Sequence, residues 1–203
     1  MANLDAPRGL KPVRYMSGQP YSGAVTEYRI EAATILGVGD PVVLTGSSST
    51  AGTNGALKTG IPLVDRASAA SGTITGVVMW VEKDASSAGR QGDAKHFAAA
   101  DEGKVFVADE PNLIFVIQED SDANNLVVGD VGEGVDITIT DADTNTGYSK
   151  CEIDSSTSAA QTGNADQLRV MRLADRPDNE LGANADWEVL INEHTYKAAQ
   201  TMI

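Results

Sequence analysis

Asp141, Asp143, Asn145 and Glu152 have the spacing in this chain that most resembles a chemical site. The run Asp141-Ala-Asp143-Thr-Asn145-Thr-Gly147 sets oxygen ligands at alternate positions, and Glu152 falls at the twelfth, as in a calcium-binding loop. Thr146 stands at the sixth position, where a helix-flanked calcium loop has glycine, and the flanks read as strands. The stretch is therefore read as an acidic hairpin tip, with a calcium turn between strands as the alternative.

Other chemistry is sparse. His96 and His194 are the only histidines and lie in different regions without a ligand-spaced neighbour, so structural roles are expected and no metal site is assigned. Cys151 follows Lys150 in an acidic region, where a thiolate has nothing to stabilise it, and is read as a buried structural thiol. Phosphate-binding glycine motifs and the strained serine-nucleophile turn are absent. Acid pairs abound by composition, but two tryptophans, Trp80 and Trp187, supply a poor sugar platform. No catalytic residue and no cofactor is assigned, and a non-enzymatic protein is expected.

Charge is the stronger signal. The chain has a net charge of −14, and fifteen acids face only Lys104 and Lys150 between Asp101 and Asp166. Such a body repels nucleic-acid phosphates and anionic membrane, so neither is expected as a partner. Residues 1–22 run the other way: Arg8, Lys11 and Arg14 stand against Asp5, interrupted by Pro7, Pro12 and Pro20. The prolines exclude a helix or a central strand, which predicts an extended basic arm that docks on something.

The rest of the chain must position these groups. Short β-forming runs recur: Val42–Leu44, Ile61–Val64, Ile74–Val81, Val105–Val107, Asn112–Gln118, Val135–Thr140, Gln167–Leu173 and Trp187–Asn192. Polar stretches separate them. Residues 46–60 read as a loop with a hairpin tip at Asn54-Gly55, and 84–103 as a loop with one helical turn at Lys95–Ala100. Gly is abundant at 20 residues and aromatics are 5%, which favours a Val/Ile/Leu β-core. The expected fold is all-β, a barrel or sandwich of roughly eight to ten short antiparallel strands with long polar loops. The domain reading is an arm over 1–22 and a single β-domain over 23–203, with an acidic insertion near 141–166. A weak echo links GVGDPVVL at 37–44 with VVGDVGEGV at 127–135, and turn chemistry used twice explains it without a duplication. No run reaches the length of a membrane span, no apolar signal core opens the chain, and one cysteine allows no intrachain disulfide.

The opening PRGLKPVRYMSGQPYSG, the GVGDPVVLTG turn, the TITGVVMWVE run and the closing RVMRLADRPDNELGANADWEVLINEH together resemble the decoration, or cement, proteins of tailed-bacteriophage capsids. The resemblance covers most of the chain and rests on texture and order. It implies synthesis in the bacterial cytoplasm and a place on the outer virion surface. There the protein would bind the major capsid protein between capsomers and stabilise the shell. It implies a homo-oligomer, a trimer by preference with a dimer as the alternative. On this reading the contact residues are Arg8, Lys11, Arg14, Tyr15 and Tyr21 of the arm, with Asp175, Arg176 and Asn179 of the 175–182 loop second. The rival expectation is a calcium-binding surface or adhesin-type module, or a phage tail β-module.

Overall fold

The computed structural model describes residues 3–31, 35–50, 59–70, 72–84, 95–99, 101–122, 124–156 and 166–197. Among these, the chain forms β1 (Lys11–Tyr15), β2 (Thr26–Glu31), β3 (Leu36–Gly37), β4 (Pro41–Ser48), β5 (Pro62–Arg66), β6 (Gly76–Lys83), β7 (His96–Phe97), β8 (Glu102–Ala108), β9 (Leu113–Gln118), β10 (Gly134–Thr138), β11 (Glu152–Asp154), β12 (Leu168–Leu173) and β13 (Asp186–Ile191). One 3-10 turn, Val128–Asp130, precedes β10. The all-β expectation holds, as a closed barrel of five strands, a six-stranded sheet and the small β3–β7 pair. Pairing is antiparallel except between β2 and β5.

The closed barrel runs β2-β5-β4-β6-β8, and the larger sheet runs β1-β9-β13-β12-β10-β11. A parallel bridge from Glu119 to Ile153, with the Asp120 amide donating to Ile153 O at 3.0 Å, brings β11 back to β9. The strands β9 to β13 thus form a second five-stranded ring, with β1 added outside.

The two rings repeat one another. In each, the first strand in the chain pairs with the fifth, the fifth with the fourth, the fourth with the second and the second with the third. The third returns parallel to the first, through Ile30↔Val64 in one ring and Glu119↔Ile153 in the other. Registers agree residue by residue. Leu44↔Val64 matches Ile137↔Ile153, Val42↔Gly76 matches Val135↔Leu168, and Tyr28↔Val105 matches Ile117↔Trp187. Even the β-bulge is shared: Met79 lies between the pairs Val78↔Val107 and Trp80↔Phe106, and Met171 between Val170↔Val189 and Arg172↔Glu188. The two rings are thus units of one topology, but the echo at 37–44 and 127–135 is not their match, and turn chemistry used twice still accounts for it. The structure aligns Gly39-Asp40 with Gly132-Glu133, not with Gly129-Asp130.

Each ring has its own apolar core. Tyr28, Ile30, Leu36, Val64, Phe97 and Val105 fill the first, and Phe115, Ile117, Ile137, Ile153, Leu168 and Trp187 fill the second. Ile74, Val77 and Ala108 belong to strands or connections of the first ring yet pack into the second core, which joins the halves. Backbone bonds add to this joint, from Ile74 N to Glu193 O at 2.8 Å and from Val38 N to Gly147 O at 2.9 Å.

Two local expectations are overturned. The extended arm expected over 1–22 is folded back as strand β1, antiparallel to β9, with Leu10 1% exposed. Pro12 is tolerated because β1 is the edge of its sheet and carries a bulge between Pro12 and Arg14, so the missing N–H breaks no interior ladder. The helical turn expected at Lys95–Ala100 is instead strand β7 at His96–Phe97, because Phe97 reaches full burial by pairing with Leu36. In the presumed loop at 46–60, β4 continues to Ser48, while the hairpin tip Asn54-Gly55 lies outside the described residues. Within the presumed insertion at 141–166, Glu152–Asp154 is the third strand of the second ring.

Candidate partner-binding site

Four of the eight sequence-derived contact residues line one cleft. Arg8, Lys11, Arg176 and Asn179 stand around a space of about 320 Å³, together with Asn3, Leu4, Gln118 and Asp186. Its walls are the segment leading into β1, the end of β9, and the 174–186 loop between β12 and β13.

The N-terminal wall is held by amides. Gln118 Nε2 donates to Leu4 O and Asn184 O, both at 2.9 Å, and Gln118 Oε1 accepts from the Ala6 amide at 2.9 Å. Asn3 Nδ2 donates to Glu180 O at 2.8 Å, and Asn3 Oδ1 accepts from the Glu180 amide at 3.0 Å. Gly9, at φ +67°, turns the chain where a Cβ would stand 2.4 Å from Gly39 O. The opposite wall is built around Asn179, whose Nδ2 donates to Ala174 O and Asp186 O while its Oδ1 accepts from the Asp186 amide. Asn179 thus closes the loop and is a positioning residue. Arg176 is engaged too, 2.8 Å from Asp186 Oδ2 and 3.2 Å from Asp178 Oδ1. Burial raises the Asp186 carboxyl, against the pull of Arg176 and Arg8.

Arg8 and Lys11 differ from these. Both are exposed, and among the described residues neither side chain has an ion-pair or hydrogen-bond partner, although the charge of Arg8 acts on Asp186. They are two exposed cations lining a cleft on a strongly acidic protein.

The remaining candidates lie elsewhere. Arg14 Nη2 reaches Glu188 Oε2 at 2.6 Å, and Arg172 Nη2 reaches Glu188 Oε1 at 2.6 Å. Burial alone would raise Glu188, but the two guanidiniums outweigh it and hold the carboxyl below its ordinary range. Arg14 therefore staples β1 to the sheet. Tyr15 and Tyr21 pack against the second core with ring centroids 6.4 Å apart, and Tyr21 Oη donates to Ala24 O at 2.8 Å. Asp175 is exposed on the loop outside the cleft lining.

The acids of the 141–152 stretch have separate tasks. Asp141 pairs with Arg66 at 2.7 Å, and Asp143 accepts from the Asn145 and Thr146 amides of its own turn. Glu152, on β11, is raised to about 7 by burial and by the neighbouring Asp5 and Asp120. The oxygens that do converge belong to Asp120, Asp122 and Asp154, within 4.8 Å of one another. Ser155 Oγ lies within hydrogen-bonding reach of Asp120 and Asp122. His194 is fully buried, with its pKa lowered to about 4 by burial, and its Nδ1 accepts from the Tyr196 amide. Cys151 is fully buried in the second core, where burial pushes its thiol well up.

Sequence reasoning missed Gln118, Asn3 and Asp40. Asp40 is buried, accepts from the Gly37 amide at 2.7 Å and from Ser149 Oγ, and is raised to about 6 by burial. Its signal was present in the GVGDP run, where an acid stands between a turn and an apolar strand. No family model, no curated protein and no solved structure matches this chain. Among the described residues no helix is long and apolar enough to cross a membrane.

Proposed function

We propose that this chain is a non-enzymatic structural protein of a phage virion, which binds the major capsid protein on the outer shell between capsomers and stabilises it. The observation that carries the reading is the pair of exposed cations, Arg8 and Lys11, whose side chains make no hydrogen bond or ion pair among the described residues, at a cleft whose walls are fixed by Gln118, Asn3 and Asn179. Two exposed positive charges set together at one cleft of a strongly acidic protein favour an acidic protein partner. The resemblance of the opening, the GVGDPVVLTG and TITGVVMWVE runs and the closing stretch to capsid decoration proteins supplies the class of partner. Many weak contacts repeated over a shell add up to a tight coat, and homo-oligomerisation, as a trimer by preference, would multiply them further. The rival calcium-holding module draws no support from the 141–152 stretch, where Asp141 pairs with Arg66, Asp143 accepts from its own turn and Glu152 stands apart on β11.

The test is co-sedimentation with expanded, undecorated capsids assembled from the major capsid protein of the same genome. Saturable pelleting of the intact protein, lost in the Arg8→Ala/Lys11→Ala double variant, is the expected result. Pelleting of neither form overturns the reading. Pelleting of both keeps the capsid partner and moves the contact away from the cleft.

A further inference from the structure

The duplicated rings are not equally covered. In the second ring, β1 lies along the first half of the first strand, with Lys11↔Val116, Pro12↔Phe115, Arg14↔Ile114 and Tyr15↔Leu113. The second half of that strand faces β11 through Glu119. In the first ring the matching strand is β2, and its second half likewise faces β5 through Arg29 and Ile30. The shared register places Ala24, Val25, Thr26 and Glu27 where the second ring has Leu113, Ile114, Phe115 and Val116. Leu113, Ile114 and Phe115 are at most 1% exposed, whereas Ala24, Val25, Thr26 and Glu27 are all exposed, Val25 at 43%. Thr26 and Glu27 open β2, and Ala24 and Val25 precede it; among the described residues no strand pairs with these four on the side away from β8, although Ala24 O accepts from Tyr21 Oη.

We propose that this open seam of the first ring takes an extended strand from a partner protein, laid antiparallel to β2 with a basic residue opposite Glu27. β1 is the template for the occupant. The Lys11 position faces Val116 in the second ring, and Val116 corresponds to Glu27 in the first, so a lysine carried there meets a carboxylate. The Arg14 position reaches Glu188, which corresponds to Phe106. An arginine carried there lies over the half-buried Phe106 ring, a favourable cation–aromatic contact. Main-chain bonds to the strand edge supply affinity, and these two side-chain positions supply selection. The net charge of −14 favours a basic segment, of opposite charge. The occupant comes from another protein because, among the described residues, each chain has two seams and one β1. Exchange of β1 between copies would still leave one seam per chain unfilled. The inference does not depend on the capsid reading, because its assay contains no capsid.

The probe is a synthetic peptide with the sequence of residues 8–21, titrated into the intact, isotopically labelled protein and followed by amide chemical shifts. Saturable shifts at Ala24–Tyr28 and Phe106 are expected, with affinity falling about fivefold in Glu27→Lys, the scale of one cross-strand charge pair. Glu27→Gln, which removes the charge without reversing it, should fall between the two. Shifts confined to Leu113–Gln118 would mean exchange with the protein's own β1 and would overturn the proposal. So would the absence of saturable shifts at about millimolar peptide, the weak limit for a specific contact.

Discussion

The amide of Gly39 donates to Val78 O at 2.8 Å, and the amide of Gly132 donates to Val170 O at 2.8 Å. The two glycines have φ of +96° and +97° and hold the same place in the two rings. Each is followed by an acid whose carbonyl accepts from the same valine, Val78 N to Asp40 O and Val170 N to Glu133 O, both at 3.0 Å. The left-handed turn that starts the second strand is thus one device used twice.

The surroundings of the two turns differ, and this gives a first prediction. A Cβ at Gly39 would stand 2.4 Å from Arg8 O, while a Cβ at Gly132 meets nothing within 4 Å. Gly132→Ala should cost only the backbone strain, about 1–2 kcal/mol. Gly39→Ala adds a collision with the segment leading into β1 and should cost about 3 kcal/mol or more. Thermal melts of the two variants side by side check the order, and equal losses would mean that the first turn is not pressed against Arg8.

The second prediction concerns the N-terminal segment. A free arm could be removed without loss of stability, but β1 covers β9, buries Leu10 and anchors Arg14 on Glu188. Removal of residues 1–16 should lower the melting temperature sharply or prevent folding. The milder Leu10→Ala should cost about 2–5 kcal/mol, as for other fully buried leucines. An unchanged melting temperature in both would restore the arm.

Acid dependence gives a third. Asp40, raised to about 6, and Glu119, raised to about 7, are both buried, so the folded state holds their protons more tightly than the unfolded state. Their ionisation therefore costs stability, and the cost is relieved as pH falls from about 7 toward 5. His194, lowered to about 4, works against them, since below its unfolded value the unfolded chain takes up the proton. Glu152, also raised to about 7, acts in the same direction, so the carboxyls outnumber the histidine, and the net gain from pH 7.5 to pH 5 should be on the order of 2–4 kcal/mol. Glu188, held low by Arg14 and Arg172, stabilises the fold above the ordinary glutamate range and loses this effect as pH falls further, so stability should peak near pH 5. Melting temperature against pH checks the curve: Glu119→Gln should flatten the rise, and His194→Gln should steepen it.

The sequence carried the strands better than their partnerships. Leu113–Gln118 and Val135–Thr138 were legible because β-branched and aromatic residues gather between turn formers. The duplication was not, because its matched positions share few identities, chiefly Gly39/Gly132, Val42/Val135, Val78/Val170, Met79/Met171 and Val107/Val189, and unequal connections separate them. The two rings agree in hydrogen-bond register, which a sequence does not display. Charge singled out Arg8, Lys11 and Arg176, yet nothing local tells that Asn3 meets Glu180 across 177 residues, so the cleft could be named only in pieces. Pro12 was misread because an edge strand and a free arm share the same local signature.

Cys151 supplies the fourth prediction. It is fully buried among Leu10, Ile137 and other residues of the second core, and burial, followed by Asp40 and Glu152, pushes its thiol far above the ordinary range. A thiol reagent attacks the thiolate and needs access, and this site offers neither in the folded state. Labelling of the native protein should therefore proceed only as fast as the second ring opens, whereas in denaturant the single thiol should react at once. Cys151→Ser would put a hydroxyl into the apolar core and should cost about 1–3 kcal/mol. Rapid labelling of the folded protein would show that the second ring, closed to β11 by a single bridge at Glu119, opens locally without global unfolding.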